Sequence, residues 1–536
     1  MERDLVRRVA LVVGQDVTFC RNVIRGVRAY AIDKPHWLFR NGPPDTATVR
    51  ACRQWQPDGI IAHLGAWPLA KQILRLGKPV VDIACMLPKV GVPVVDVDHR
   101  AVGRLAAEYF LNRGFRNFGF YGSREAYYCR LREQSFTERL AEAGCSVSAC
   151  YGEYLPDMPG ARRWQGQDQR VQRWLLDLPK PAAILASNDI PARYLADQCR
   201  QVGLRVPDEV ALLGVDDDEF ECTLCSPPLS SVAIPSEQIG WEAARRIQCA
   251  NNLKQLGLAC QLYAQQWGVL PPNGAVCGAY CPDHWYYPSL DDRMKGGYLI
   301  RILPYIEQQA LYDKINFTRN PELYSFVVEP DQPVYKQVIS TFFCPSNRRL
   351  FYWPGGGLDK REGALGHYGM NVGNAQSFRC SEGGNYWGRN IPNNLFHGDS
   401  MDPSKVSGPF SSMFWSASFS DIRDGTSNTI AMGEARPECS SHLRDGWMHI
   451  NSMWLMTTPP INYPTCPGEP GYTTDPNQCH NEETYGKACG FKSLHPGGAQ
   501  FVFCDGSVRF LTEGIDYVTY QKLGDRWDGL PIEANY

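Results

Sequence analysis

Residues 93–122 read PVVDVDHRAVGRLAAEYFLNRGFRNFGFYG, and this stretch decides the fold of the first half of the chain. An apolar run, 93–98, is followed by an amphipathic stretch, His99–Asn112, and then by a second apolar run, Asn117–Gly122. Short apolar runs that alternate with helical stretches are typical of βαβ units, in which parallel strands form a sheet covered by helices. The stretch therefore predicts a parallel α/β fold.

The same alternation extends outward from this stretch in both directions. Further apolar runs begin at Arg8, Gly59, Pro79, Ala182 and Val210. Helical stretches separate these runs, as a doubly wound sheet requires. We interpret residues 8–97 and 98–230 as two lobes of about 100 residues each.

Composition and charge exclude several classes of protein. The chain has 536 residues, of which 43% are hydrophobic and 21% are charged, and these values exclude disorder and collagen-like structure. Its formal net charge of -3 provides no overall field that would attract nucleic acid or anionic lipid. No stretch approaches the roughly 18 consecutive apolar residues of a membrane span, and the first apolar run is too short for a signal peptide. We therefore expect a cytoplasmic protein.

Polar side chains lie near the carboxyl ends of the predicted strands, where sheets of this kind bind ligands. Asp189 follows the run AAILAS, Asp216 follows VALLGV, and Arg132 lies in the helix after NFGFYG. At any one of these positions helix capping is the alternative explanation. Convergence of all three on one cleft favours a binding site, because carboxylates and guanidinium groups suit ligands rich in hydroxyl groups.

Five stretches of the first half carry a resemblance to a known family: RRVALVVGQDVTFCRNVIRGVRAY, VDVDHRAVGRLAAEYFLNRGFRNFGFYGS, RLREQSFTERLAEAG, ILASNDIPAR and VALLGVDDDEFECTLCSPPLSSV. They resemble the sugar-sensing domain of the AraC-type xylose operon regulators, whose fold is similar to that of the lac repressor and the periplasmic binding proteins. The resemblance implies a pentose sensor over residues 1–246. It implies Asp189 and Asp216 as hydroxyl acceptors, and Arg132 and Arg21 as donors.

The chain departs from that family where a DNA-binding module is expected. Repressors of the lac type carry a helix-turn-helix before the sensor domain, but here the first predicted strand begins at Arg8. Xylose regulators of the AraC type carry two such units after it, whereas a different sequence follows residue 246. We therefore expect a small-molecule sugar as partner and no DNA binding by this chain alone. The resemblance also leaves room for a homodimer formed through the sensor domain.

The second half begins with one long predicted helix. From Ser236, a predicted cap, the chain reads SEQIGWEAARRIQCANNLKQLGLACQLYAQQWG, and the helix should end before Pro271. Residues on one face, at a spacing of three and four, should be buried: Ile247, Leu253, Leu256, Cys260, Tyr263 and Trp267. We interpret 237–267 as a helix shared by the sensor domain and a second domain, 247–536.

Beyond this helix the sequence predicts antiparallel β structure with long loops. Its clearest element is a hairpin in which Asp505 and Gly506 join the runs AQFVF and VRFL. An Asp-Gly pair between two such runs predicts a two-residue type I′ turn. His495 lies at the opposite end of the first strand from Asp505, so a stabilising role in the turn is favoured over an acid/base pair. Asp424 and Gly425 are interpreted as a second local turn.

Five stretches of the second half are EAARRIQCANNLKQLGLA, LPYIEQQALYDKINF, FFCPSN, IRDGTSNTIAMGE and HPGGAQFVFCDGSVRFL. They resemble a bacterial prepilin-like family of unknown function that is marked by a C-terminal His-x9-Asp-Gly pattern, here His495, Asp505 and Gly506. The resemblance implies an α+β pilin-like domain. The apolar prepilin helix and leader of that family are replaced by PPLSSVAIPSEQIGW. We therefore interpret the chain as a sensor fused to a pilin-like domain. The alternative is a structural or interaction protein of the prepilin-like envelope family, with the sensor half as a passenger.

The cysteines in loops of the second half leave three interpretations open. Cys277-x3-Cys281-x2-His284 has a spacing that suits three zinc ligands, with a fourth from Cys466, Cys479 or His480. Disulfides and free thiols are the other two. We predict no metal ligands, no cofactor and no enzyme activity, because no Gly-x-Ser-x-Gly or His-Glu-x-x-His motif occurs in the sequence.

Overall fold

The structure is a computed structural model that divides the chain into two compact units, Met1–Ile247 and Gln248–Tyr536. It describes residues 6–152, 168–274, 296–315, 334–347, 351, 363–376, 395–396, 400–449, 452–475, 477–484 and 487–532. Within these ranges no helix combines the length and the apolar character needed to cross a membrane.

Strands and helices alternate along the first unit. Its strands are β1 (Arg7–Val12), β2 (Trp37–Gly42), β3 (Gly59–Ala62), β4 (Val80–Asp82), β5 (Asn117–Gly122), β6 (Val147–Tyr151), β7 (Ala182–Ala186), β8 (Val210–Val215) and β9 (Ser230–Val232). Its helices are α1 (Thr18–Ala31), α2 (Thr46–Trp55), α3 (Trp67–Leu74), α4 (His99–Asn112), α5 (Tyr127–Glu142), α6 (Gln169–Asp177), α7 (Asp189–Gln201) and α8 (Glu219–Thr223). A long helix, α9 (Ser236–Trp267), begins in the first unit and ends in the second.

Two parallel sheets form the cores of the two lobes. The strand order is β2-β1-β3-β4 in the first lobe and β6-β5-β7-β8-β9 in the second. All pairings within these sheets are parallel. The predicted α/β fold is therefore confirmed, and α4 and β5 have the predicted bounds. Residues 93–98 form only an isolated bridge, between Val94 and Asp82.

Gly103 lets two helices of the second lobe approach closely. A Cβ atom at this position of α4 would collide with the carbonyl oxygen of Arg132 and the hydroxyl oxygen of Ser135, both on α5. Packing this close requires glycine. It holds α5, and with it the buried side chain of Arg132, against α4.

The second unit combines the end of α9 with a mixed sheet. Its strands are β10 (Tyr368–Asn371), β11 (Ala375–Gln376), β12 (Leu395–Phe396), β13 (Ile430–Glu434), β14 (Trp454–Leu455), β15 (Gly498–Phe503) and β16 (Val508–Thr512). Its further helices are α10 (Tyr298–Ile302), α11 (Gln309–Tyr312) and α12 (Tyr517–Gly524). Short 3₁₀ helices are Leu303–Ile306, Val334–Lys336, Ser340–Phe342, Pro403–Lys405, Phe419–Asp421, Pro437–Cys439 and Leu443–Asp445.

The main sheet of this unit has the order β14-β10-β13-β15-β16. Three of its pairings are antiparallel, as predicted, but β10 and β14 pair in parallel. A separate two-stranded sheet joins β11 and β12. The predicted antiparallel sheet is therefore confirmed, with one parallel pairing added at the β14 edge.

The predicted apolar face of α9 is buried over most of its length. Ile247, Leu253, Leu256 and Cys260 are at most 2% exposed, and the last three belong to the core of the second unit. Trp267 is 58% exposed, which contradicts its predicted burial. The helix ends at Trp267, whose ring stacks on that of Tyr263 with the ring centres 6.1 Å apart.

The turn between β15 and β16 differs from the predicted type. Type I′ needs positive φ at both central residues, whereas only Gly506 of the Asp505-Gly506 pair has positive φ, at +77°. The Gly506 N–H donates to the carbonyl oxygen of Phe503, and the Phe503 N–H donates to that of Ser507, both at 2.8 Å. This is a three-residue loop with glycine in the left-handed position, which is the next most common type of hairpin connection.

Gly506→Val is expected to destabilise the second unit by more than about 1 kcal/mol, because a β-branched residue is strained at φ +77°. The added Cβ would also lie 3.0 Å from Nε2 of Gln261 on α9. Urea denaturation of the full-length chain measures the change. Gly514→Val is the matched control, since a Cβ at Gly514 meets no atom within 4 Å. Equal stability of the two variants would contradict the role assigned to the turn.

Candidate ligand-binding site

A cleft of about 460 Å³, its open mouth included, lies between the two lobes of the first unit. Its described lining residues are Val17, Phe19, Cys20, His63, Ala84, Met86, Asp96, His99, Tyr128, Arg132, Asn188, Asp216 and Ile234. Both lobes contribute side chains, and several come from the carboxyl ends of strands, where parallel sheets place their ligands.

Arg132 is the central charged group of the cleft, with 3% of its side chain exposed. Its Nη1 donates to the carbonyl oxygen of Ser187, and its Nε lies 3.3 Å from Nδ1 of His99. Its Nη2 lies 3.9 Å from Oδ1 of Asp216. The guanidinium carbon lies 4.9 Å from the centre of the Tyr128 ring. These partners fix the orientation of the guanidinium group.

Asp216 provides the carboxylate that faces Arg132. Its Oδ2 accepts from Nδ2 of Asn188 at 3.2 Å, and Oδ1 of Asn188 accepts from the Tyr128 hydroxyl at 3.1 Å. The backbone of Asp216 has φ +109°, a conformation that residues other than glycine rarely adopt. Strain of this kind is concentrated at functional sites.

His99 and Asp96 complete the charged wall. Nε2 of His99 lies 3.1 Å from Oδ2 of Asp96. Because Nε of Arg132 is a donor, Nδ1 of His99 must accept, and Nε2 then carries the proton that is donated to Asp96. The His99 ring thus connects the Asp96 carboxylate to the Arg132 guanidinium group.

Two carboxyl groups of the second lobe have raised pKa values. Burial raises the pKa of Asp216 to about 6, although the Arg132 guanidinium lowers it. Burial, assisted by the neighbouring Asp216 carboxylate, raises the pKa of Asp189 to about 8. Simultaneous ionisation of both groups is therefore disfavoured.

The structure places Arg132 and Asp216 in the cleft wall, and it places Asp189 elsewhere. Oδ2 of Asp189 accepts from the N–H of Asp218 at 2.7 Å, and Oδ1 accepts from the Ser231 hydroxyl at 2.6 Å. Both oxygens thus support the loop after β8 and the edge strand β9. This position does not match the predicted role of Asp189 as a direct acceptor for the ligand.

Arg21, the fourth predicted residue, is also not among the described residues that line the cleft. Its Nη1 donates to the carbonyl oxygen of Gln15, and its Nη2 donates to Oγ1 of Thr18, both at 2.7 Å. Its guanidinium carbon lies 5.7 Å from the centre of the Phe220 ring. These contacts tie the loop before α1 to the first turn of that helix.

Most of the polar lining of the cleft was not predicted from the sequence. The polar lining residues that were not predicted as ligand contacts are His63, Asp96, His99, Tyr128 and Asn188. Asn188 is adjacent to the predicted Asp189, and Asp96 and His99 lie within the stretch 93–122. Their position at the junction of the lobes was the available signal, because that junction is where the two carboxyl edges meet.

Hydrogen bonds join the lobes beside the cleft. The N–H of Thr18, in α1, donates to Oδ2 of Asp218 in the second lobe at 3.1 Å. The N–H of Tyr127, at the start of α5, donates to the carbonyl oxygen of Met86 at 2.9 Å. Relative movement of the lobes would have to break or shift these bonds.

The predicted motif residues of the second unit lie in separate places. Oδ1 of Asp505 accepts from the N–H of Ser507 at 2.8 Å, within the hairpin turn. His495 is buried at the other end of β15, with Nε2 3.2 Å from Oε1 of Glu434. A role in the turn therefore applies to Asp505, and the prediction of that role for His495 is wrong.

Asp424 and Gly425 lie in a local turn. Gly425 has φ +96°, and its carbonyl oxygen accepts from Oγ1 of Thr429 at 3.2 Å. The two carboxylate oxygens of Asp424 accept from the N–H groups of Asp528 and Gly529 at 2.7 and 2.9 Å. Asp424 thus holds the C-terminal segment against this turn.

The loop cysteines of the second unit fall into more than one class. Cys439 and Cys466 form a disulfide, and Cys479 is also disulfide-bonded. Cys489 is a buried thiol whose Sγ lies 4.0 Å from the hydroxyl oxygen of Ser440. The segment 277–284, which contains the proposed zinc spacing, lies outside the described residues.

The first half of the chain is similar to known regulators. Residues 107–251 match the model of the periplasmic binding protein-like domain. The xylose operon regulatory protein of Escherichia coli K12 is 26% identical over 247 residues, which cover 44% of this chain and 62% of that protein. The HTH-type transcriptional repressor CytR of the same strain is 28% identical over 250 residues, covering 44% of this chain and 70% of that protein. The chain thus spans less than two thirds of the xylose operon regulatory protein.

Solved structures are similar over the same half. One is a periplasmic binding protein/LacI transcriptional regulator from Alkaliphilus metalliredigens QYMF complexed with D-xylulofuranose, with 17% identity, a TM-score of 0.39, and coverage of 46% of this chain and 91% of that chain. Another is the xylose-binding transcription activator xylR, with 23% identity, a TM-score of 0.38, and coverage of 45% and 62%.

The second half matches a family of its own. Residues 238–517 match the family model described as protein of unknown function (DUF1559). The matched range includes most of α9, the main sheet and the residues from His495 to Gly506. Since this match extends over more than half of the 536 residues, the chain belongs to the DUF1559 family.

Proposed function

We propose that residues 1–246 bind an aldopentose, with xylose as the best candidate, and that the role of this domain is binding rather than catalysis. The observation that carries the proposal is the buried pair of Arg132 and Asp216, which lines a cleft between two lobes. A fixed donor and a fixed acceptor in one wall suit neighbouring hydroxyl groups on a small ring.

The rest of the cleft lining is also suited to a small sugar ring. Asn188 and His99 add polar groups to the wall, while Phe19, Met86 and Tyr128 add apolar and aromatic surface. A sugar ring presents hydroxyl groups at its edge and C–H groups on its faces, so it needs both kinds of contact. Pockets with a mainly apolar lining and a few fixed polar groups are typical of small-molecule sites.

We further propose that binding draws the two lobes together. The hydrogen bond from Thr18 to Asp218 and the one from Tyr127 to Met86 join the two lobes, so they would stabilise the closed form. A ligand shifts this equilibrium only by the difference between its affinities for the open and closed forms. Contacts to both lobes, as this cleft offers, provide that difference.

The similarity to regulators that are named for xylose supports the choice of sugar. Because the chain spans 62% of the length of the Escherichia coli xylose operon regulatory protein, only its sensing role is proposed here.

Asp216→Asn is expected to weaken xylose binding by about 1 to 3 kcal/mol. The neutral amide cannot make the charge-assisted hydrogen bond that the Asp216 carboxylate would accept from a sugar hydroxyl. Titration calorimetry of the full-length chain measures the loss, with ribose, arabinose and glucose as comparison sugars. Asp217→Asn is the matched control, since Asp217 is the exposed neighbour of Asp216. If Asp216→Asn binds like the parent, the site is assigned wrongly. If none of the four sugars binds the parent, the proposed function is wrong.

A further inference from the structure

Four metal-ligating side chains converge in the core of the second unit. Cys249 comes from α9, Cys344 from the turn after a 3₁₀ helix, Glu434 from the end of β13, and His495 from the segment before β15. Their ligand atoms all lie within 4.8 Å of one another. We propose that these side chains, hereafter the four-ligand cluster, hold one zinc ion.

The donor set of the four-ligand cluster suits zinc. Two thiolates, one imidazole and one carboxylate are all ligands that zinc accepts, and four protein ligands give the closed tetrahedral arrangement of a structural site. Soft sulfur donors disfavour magnesium and calcium, which prefer oxygen ligands. All four residues are at most 6% exposed, so solvent has little access to the position that an ion would take.

Distances within the four-ligand cluster match the edges of a zinc tetrahedron. Metal bonds of about 2.3 Å to sulfur and about 2.0 Å to nitrogen or oxygen imply edges of roughly 3.3 to 3.8 Å. Sγ of Cys344 lies 3.8 Å from Oε1 of Glu434 and 3.8 Å from Nε2 of His495. Nε2 of His495 lies 3.2 Å from Oε1 of Glu434. Three ligand atoms therefore already have nearly the required spacing.

Neighbouring groups orient the ligands. Oε2 of Glu434 accepts from the N–H of Gln500 at 2.9 Å, which leaves Oε1 directed at the cluster. The hydroxyl oxygen of Ser346 lies 3.4 Å from Nδ1 and 3.3 Å from Nε2 of His495, and 4.0 Å from Sγ of Cys249. Outer groups that fix the orientation of ligands are characteristic of metal centres.

A metal ion also explains why these polar groups are buried together. A carboxylate and an imidazole in a core are costly to desolvate unless they are paired or coordinated. The main alternative is a disulfide between Cys249 and Cys344, which would remove both thiolates as ligands. Both sulfurs are free thiols here, whereas Cys439 and Cys466 of the same unit are joined.

The test uses the full-length chain, purified under reducing conditions and analysed for zinc. We expect about one zinc ion per chain, and we expect Co²⁺ substituted for zinc to show the near-ultraviolet charge-transfer absorption of cobalt bound to thiolate. Cys344→Ala and His495→Gln should weaken zinc binding more than about 100-fold, because loss of a ligand costs more than the 10- to 100-fold typical of an outer group.

Cys260→Ala is the matched control for Cys344→Ala. Cys260 is a buried free thiol on α9 whose sulfur lies 3.9 Å from that of Met432, outside the four-ligand cluster. This variant should retain the zinc ion. The parent chain tests the proposal even if a variant does not fold. Absence of zinc and of a cobalt–thiolate spectrum in the reduced parent would overturn the proposal, as would a Cys249–Cys344 disulfide in peptide maps of the native chain.

Discussion

Arg132→Met is expected to weaken pentose binding more than about 100-fold, the largest loss of any single substitution in the cleft. Methionine removes the guanidinium group that would donate to the ligand. It also leaves the buried Asp216 carboxylate without its cation, and an unpaired buried charge costs several kcal/mol. It also removes the hydrogen bond to the carbonyl oxygen of Ser187. Titration calorimetry with xylose on the full-length chain measures the effect.

Two further variants separate loss of binding from loss of folding. Arg130→Met is the matched control, because Arg130 is exposed two residues away on α5 and its guanidinium carbon lies 5.3 Å from the Tyr127 ring. It should bind xylose like the parent. Arg132→Lys keeps the charge but not the planar fork, so an intermediate loss is expected. Equal affinities for Arg132→Lys and the parent would mean that the fork does not contact the ligand.

The α/β half could be predicted from sequence because its central strands are buried on both faces. Every residue of β7 is buried. A strand that helices cover on both faces has an uninterrupted apolar sequence, which is easy to recognise. The edge strand β2 was missed for the opposite reason. Only Trp37 of its six residues is buried, so no apolar run marks it.

The second half was harder to predict because few of its elements are long. Its hairpin was found from two apolar runs around Asp505 and Gly506, but the same pair is compatible with more than one turn type. The loop length was decided by contacts that are distant in sequence. Lys254 of α9 donates to the carbonyl oxygen of Gly506 at 2.6 Å, and Gln261 donates to that of Cys504 at 3.2 Å.

The candidate site was likewise predicted only where the signal lies within a short stretch of sequence. Arg132 and Asp216 were found because polar residues near strand ends are a local signal. The direction of a side chain is not a local signal, because it depends on partners that are distant in sequence. The carboxyl group of Asp189 turns towards Asp218 and Ser231, from which it accepts hydrogen bonds. The four-ligand cluster is the extreme case, since its residues come from four segments and form no short motif.

The buried carboxyl group of Asp189 should make the stability of the first unit depend on pH. Its native pKa of about 8 is far above the value of 3.8 expected in the unfolded chain. Between these values the native state keeps a proton that the unfolded state releases, so the free energy of unfolding falls as pH rises. Asp216, with a native pKa of about 6, contributes in the same direction over the lower part of this range.

Asp189→Asn isolates this contribution, because asparagine stays neutral at every pH. We expect the variant to gain stability relative to the parent as pH rises from 4 to 8, by up to about 1.4 kcal/mol for each pH unit. The full-length chain is unfolded in urea and then digested briefly with a protease. Mass spectrometry assigns each fragment to its unit, so that unfolding of the first unit is measured separately. Asp208→Asn, which removes an exposed carboxyl group of the same lobe, is the matched control. A difference between Asp189→Asn and the parent that does not change with pH would mean that Asp189 has no raised pKa, and that its hydrogen bonds from Asp218 and Ser231 outweigh the cost of burial.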